Sequence, residues 1–164
     1  MTETDILQLS GLVGERLKAC GAKMTCAESC TGGWLAKVIT DVAGSSGWFD
    51  YGFVTYSNQA KQDLVKVNEN TLANFGAVSS QVVQEMAAGA LVAAGADFAV
   101  SVSGIAGPDG GTAEKPVGTV WFGFTDNQGR AFTRKALFSG DRHAVRLQSV
   151  HFALQTLLDE FLQK

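Results

Sequence analysis

Apolar residues along the chain recur at two spacings, and each change of spacing marks the passage from helix to strand or back. Ile6, Leu7, Leu9, Leu12, Val13 and Leu17 follow helical spacing from about Asp5 to Cys20, and Gly21 supplies a natural stop. Lys23 to Ala27 reads as a short strand. Gly33 to Val42 reads as a second helix, broken at Gly44-Ser45-Ser46-Gly47. Trp48 to Ser57 is rich in aromatic and β-branched residues and predicts a strand. Ser57-Asn58 caps a short helix, Gln59 to Val65, and a further small helix fits Glu69 to Phe75. Ser79-Ser80-Gln81 opens an Ala-rich helix that runs through Ala94 and stops at Gly95. Asp97 to Val102 carries the apolar run Phe98-Ala99-Val100-Ser101-Val102, the pattern of a buried central strand. A glycine- and proline-bearing loop follows, from Ser103 to Pro116. Val117 to Thr125 and Arg130 to Phe138 then form a hairpin across Asp126-Asn127-Gln128-Gly129. Ser139-Gly140-Asp141 begins a last helix that reaches about Leu162, with an apolar stripe from Val145 to Phe161.

Helices alternate with strands in the first half and a hairpin comes later. This order predicts a three-layer α/β/α sandwich around a mixed, mostly parallel sheet of about five strands. At 164 residues the chain is expected to be one domain, residues 1–164. Apolar residues make up 46% and charged residues 18%, a globular balance that excludes disorder. The net charge is −3, with no basic run, so neither nucleic acid nor an anionic membrane is an expected partner. No apolar run reaches membrane-spanning length, and Met-Thr-Glu-Thr-Asp is the wrong start for a signal peptide, so the chain reads as cytoplasmic. Cys20, Cys26 and Cys30 are too few and wrongly accompanied for a zinc set, and read as reduced, packed thiols.

Binding sites in open α/β sheets lie off the carboxyl ends of strands. Three predicted carboxyl ends carry chemistry here. Thr25-Cys26-Ala27-Glu28-Ser29-Cys30-Thr31-Gly32-Gly33 places Ser29 in a small-residue turn before a helix, where free N–H groups favour developing negative charge. This turn fits an anion site, a serine nucleophile with its oxyanion, or an ordinary capped corner. Tyr56 and Lys61 flank the second strand-to-helix junction. A buried lysine loses basicity and can deprotonate a serine, and a phenol can pass or orient the proton. The third feature is the loop Gly104-Ile105-Ala106-Gly107-Pro108-Asp109-Gly110-Gly111-Thr112. It is neither a Walker A nor a dinucleotide fingerprint, yet it lets backbone approach a ligand closely. His143 and His151, both on the last helix, read as surface or packing residues. Arg142 and Arg146 share a helix face, and Arg142 lies in the first turn, an arrangement suited to a phosphate or to a solvated basic face. Glu28 either orients a ligand or caps the turn.

Ala27-Glu28-Ser29-Cys30-Thr31-Gly32-Gly33, Thr55-Tyr56-Ser57-Asn58 with Lys61, Ser103 to Gly111, Lys115-Pro116-Val117-Gly118-Thr119-Val120 and Phe138-x-Gly140-x-Arg142 occur in that order. Together they resemble the C-terminal domain of the competence/damage-inducible CinA family, over about Asp5 to Leu162. The chain looks like a stand-alone form without the larger N-terminal domain of some members. The resemblance implies deamidation of nicotinamide mononucleotide to nicotinic acid mononucleotide and ammonia, with no metal and no cofactor. It implies Ser29, Tyr56 and Lys61 as the catalytic group and a homodimer or higher homo-oligomer. On that basis Cys30, Thr31, Gly32 and Gly33 are expected to hold the reacting carboxamide, with the oxyanion on N–H groups from Cys30 to Gly32. Gly104, Ala106, Gly107, Gly111 and Thr112 would line the nucleotide pocket, and Arg142 would meet the phosphate. The competing expectation is a nucleotide-binding module of the same family without catalysis.

Overall fold

Most helices begin where a side chain caps them. In the computed structural model, which describes residues 1–163, Thr2 and Asp5 form a reciprocal capping box for α1 (Glu3–Cys20). Gly21, in the left-handed region, closes that helix. Ser57 caps α3 (Asn58–Val65), Asn68 caps α4 (Glu69–Phe75), Ser79 caps α5 (Ser80–Ala94) and Asp141 caps α6 (Arg142–Phe161). The exception is α2 (Trp34–Thr40), whose N-cap residue Gly33 offers no side chain.

The strands are β1 (Met24–Glu28), β2 (Phe49–Val54), β3 (Phe98–Gly104), β4 (Thr119–Asp126) and β5 (Ala131–Leu137). They form one sheet in the order β2-β1-β3-β4-β5. β2, β1 and β3 run parallel, while β3–β4 and β4–β5 pair antiparallel. The expected mixed sheet of five strands is therefore present. β2 ends at Val54, three residues short of the expected Ser57, so Tyr56 and Ser57 stand beyond the sheet. β4 starts at Thr119 and not Val117, because Gly118 turns at φ +96° with its backbone pressed on the Phe138 carbonyl.

One face of the sheet packs against α1, α2 and α6 through Met24, Cys26, Val100, Val102, Phe122 and Phe124. The other face carries α5, with α3 and α4 outside it, over Ala27, Val82, Val83 and Met86. Small residues bring α5 close to the sheet. Ser101 Oγ donates to the Val83 carbonyl, and a Cβ at Gly123 would overlap that same carbonyl. The chain leaves β1 toward β2 on one side and later returns to β3 on the other. The carboxyl ends of three parallel strands thus meet around the end of β1, a topological switch point.

Gly89 of α5 faces the Val65 carbonyl at the end of α3 with no room for a Cβ, whereas Gly11 of α1 has nothing within 4 Å. Gly11→Ala is expected to raise stability by up to about 1 kcal/mol, the ordinary helix gain. Gly89→Ala is expected to lower it by about 1–3 kcal/mol through overpacking. Urea unfolding of the two variants checks the opposite signs.

Candidate active site

The turn after β1 is pinned from both sides. Ser29 N–H donates to Val102 O of β3 at 2.9 Å, and Thr55 N–H donates to Glu28 O at 2.7 Å. Ser29 therefore sits at the junction of three strand ends, with 8% of its surface exposed.

α3 begins just after Tyr56, so Lys61, one turn in, reaches back toward those strand ends. Its Nζ donates to Ser29 Oγ at 3.0 Å, to Thr55 O at 2.9 Å and to Tyr56 O at 3.3 Å. Lys61 is 1% exposed. Burial lowers its pKa from 10.5 to about 8, partly opposed by the Cys30 thiol. An ammonium has three N–H donors, and here each has an acceptor. Once a proton is lost, the two carbonyls still hold two N–H groups, which leaves the nitrogen lone pair facing Ser29. The pair is thus a serine hydroxyl beside an amine that is neutral in about a tenth of molecules at pH 7.

Tyr56 contributes differently from the expected proton relay. Its backbone carbonyl touches Lys61 and accepts from Ser29 Oγ at 3.4 Å. Its side chain is 61% exposed, and the phenol oxygen accepts from Arg142 Nη2 at 3.2 Å. Arg142 Nη1 also donates to Gly107 O at 2.7 Å. Tyr56, Arg142 and the glycine loop are thereby linked across the edge of the site. Of the remaining loop residues, Ala106 is buried in the core, and Gly104 packs against Thr119 and Val120. Gly111 packs against Val117, and Thr112 pairs with Lys115 through its N–H and its hydroxyl. The contacts of Gly104, Gly111 and Thr112 are with the loop's own surroundings and not with Ser29 or Lys61.

Within the turn, Gly32 N–H donates to Ser29 O at 3.0 Å and so leaves the expected oxyanion set. Among the described residues, Thr31 N–H and Gly33 N–H have no hydrogen-bond acceptor, and Cys30 N–H meets only its own sulfur. Of these amides, those of Cys30 and Thr31 directly follow the Ser29 hydroxyl in the chain. Cys30 does not compete as a nucleophile, because burial pushes its thiol up to about 12. Cys26 is likewise raised by burial, whereas Cys20 is exposed, against the expectation of three packed thiols.

Glu28 is fully buried and caps α2 from outside the helix. It accepts from Leu35 N at 2.8 Å, Ala36 N at 3.0 Å and Thr31 Oγ1 at 2.6 Å. Sequence reasoning left this role open, because the partners lie seven and eight residues downstream, beyond any local capping pattern. Its charge already balances the positive end of α2. A cleft of about 650 Å³ opens outside the turn, lined by Gly32, Gly33, Trp34, Lys37, His143 and Arg146 among others. Neither Ser29 nor Lys61 lines it.

The CinA C-terminal domain model matches residues 6–161. The chain belongs to the CinA C-terminal domain family. It is 64% identical over 163 residues to the nicotinamide-nucleotide amidohydrolase PncC of Escherichia coli K12, covering 99% of each chain. It is 52% identical over 153 residues to the protein of the same name from Pseudomonas putida, covering 93% of this chain and 95% of that one. The crystal structure of the competence/damage inducible protein CihA from Agrobacterium tumefaciens superposes with a TM-score of 0.94 at 43% identity, covering 98% and 96% of the two chains. The expected family, and the sandwich fold that it implies, are therefore borne out.

Glu28→Ala would strand two buried amides and the Thr31 hydroxyl. Urea unfolding is expected to show a loss of roughly 2–4 kcal/mol, with a smaller loss for Glu28→Gln, which keeps an acceptor oxygen.

Proposed function

We propose that the chain is a nicotinamide-nucleotide amidohydrolase that converts nicotinamide mononucleotide to nicotinic acid mononucleotide and ammonia, feeding NAD recycling. The observation that carries this reading is the contact between Ser29 Oγ and the buried, weakened base Lys61, in a chain 64% identical to a relative of that name. Residues 1–164 act as one amidohydrolase domain, cytoplasmic and self-associating.

Neutral Lys61 takes the Ser29 proton as Oγ bonds to the carboxamide carbon. The carbonyl oxygen becomes an oxyanion held by Cys30 and Thr31 N–H, each such donor being worth about 2.7–4 kcal/mol. As the intermediate collapses, the C–N bond breaks and the Lys61 ammonium protonates the departing NH2 group, giving ammonia and an ester on Ser29. Water, deprotonated by the same lysine, attacks that ester; the bond to Ser29 Oγ breaks, the lysine returns its proton to Oγ, and the acid leaves as its carboxylate with loss of a proton to solvent. Tyr56 supports this step through its carbonyl, which orients the amine, and through its phenol, which places Arg142. Arg142 keeps N–H groups free of Tyr56 and Gly107 and directs them to the substrate phosphate.

Ammonia release from nicotinamide mononucleotide, with a chelator present, is the test. Ser29→Ala is expected to fold and to release none. Lys61→Ala is expected to lose about 10²–10⁴ in kcat. Activity retained by Ser29→Ala would remove the nucleophile. Binding of the nucleotide without any release by the wild type would leave a binding module.

The pH dependence follows from the base. The lowered pKa means that Lys61 is protonated and inactive below about 8 and neutral above it. The rate constant kcat/KM should rise with pH and level off above an apparent pKa near that value. A profile flat from pH 6 to 9 would rule out Lys61 as the base.

A further inference from the structure

We infer that Arg146 is a positioning residue that aims the oxyanion donors of the Ser29 turn. This inference rests on the acyl-transfer reading of Ser29.

In a planar trans peptide the C=O and the N–H point in opposite directions. Fixing a carbonyl therefore aims the amide that shares its plane. Arg146 Nε donates to Cys30 O at 3.1 Å, and Arg146 Nη2 donates to Thr31 O at 3.1 Å. Thr31 O also accepts from Trp34 N–H at 3.1 Å, and Ser29 O is held by Gly32 N–H. All three turn carbonyls are thus engaged, two of them by Arg146. Of the amides sharing those planes, Gly32 N–H is spent inside the turn, while Cys30 N–H and Thr31 N–H remain open. The Cys30–Thr31 peptide, which carries one of the open donors, is held at its oxygen by Arg146 and by no other hydrogen bond among the described residues.

The clamp has a built support. The Arg146 guanidinium lies 5.7 Å from the centre of the Trp34 ring, which packs on His143 with ring centres 5.2 Å apart. Gly32 sits at φ +60°, and a Cβ there would come within 3.3 Å of Arg146 Nη2. A bare turn at this position admits the guanidinium. The charge adds to the geometry, because a cation on a peptide oxygen polarises the group and strengthens its N–H as a donor. Lys61 meets the turn at the Ser29 hydroxyl, and Arg146 is the cation on its carbonyls.

Lysine keeps the charge at this position but cannot bridge two carbonyls with a planar fork. In steady-state assays with nicotinamide mononucleotide, Arg146→Lys is expected to lose about 10–100-fold in kcat, since a mis-aimed donor forfeits much of what one donor supplies. KM should stay within about twofold and the apparent pKa of kcat/KM should be unchanged. The Thr31 amide nitrogen resonance should move upfield as its peptide loses polarisation. Wild-type kcat, a loss confined to KM, or a drop in melting temperature with kcat and the Thr31 resonance unmoved would overturn the inference. If Arg146→Lys is too unstable to assay, Arg146→Gln, which can still donate to one carbonyl, carries the same readouts. A wild-type protein that releases no ammonia would instead defeat the functional reading, and the Thr31 resonance would then decide the clamp alone.

Discussion

Everything distinctive about the site depends on one buried amine. Lys61 sits at 1% exposure against a serine and two carbonyls, and burial is what weakens it as a base. The folded pKa lies below the ordinary lysine value of 10.5, so the folded state binds fewer protons between the two. Folding therefore carries the full penalty of the buried charge below pH 8, and that penalty falls as pH rises toward 10.5. The protein gives up stability at neutral pH to keep a lysine able to accept a proton. No counter-ion touches Nζ among the described residues, and a carboxylate in that place would raise the pKa and end the effect.

The sheet order makes this burial possible. Because β1 lies between β2 and β3, the turn after β1 is bonded on one side by Thr55 and on the other by Val102. α3 starts directly off β2 and sends Lys61 back to the same point. On the far side of the turn, Glu28 fastens it to α2 and Arg146 to α6. Opposite charges thus grip neighbouring parts of the turn, Glu28 taking donors and Arg146 taking carbonyls. What is left over is a set of open amides beside a hydroxyl.

The fold was largely legible from the sequence. Caps at Ser57, Ser79 and Asp141, stops at Gly21 and Gly95, and the apolar runs placed every helix and strand to within a few residues. The errors fell where long-range packing decides an end, as at Gly118 against Phe138 and at the carboxyl end of β2. Ser29 and Lys61 were legible as candidates because each follows a strand that ends at one edge of the sheet. The work of Glu28 and Arg146 was not. Glu28 acts on amides seven and eight residues away, and Arg146 acts on carbonyls 116 and 115 residues before it. The helical spacing from Arg142 to Arg146 was visible, but it suited a shared phosphate site or a solvated basic face alike. The structure divides them, with one at the mouth of the site and one behind the turn.

The most direct test of the account is a carbon-13 NMR titration of the lysine side chains, with Lys61 assigned by its absence in Lys61→Met. The account predicts that Lys61 titrates near 8, and predicts that its midpoint shifts in Ser29→Ala, which removes a hydrogen-bonding partner. A Lys61 resonance that titrates near 10.5, unmoved by Ser29→Ala, would contradict it.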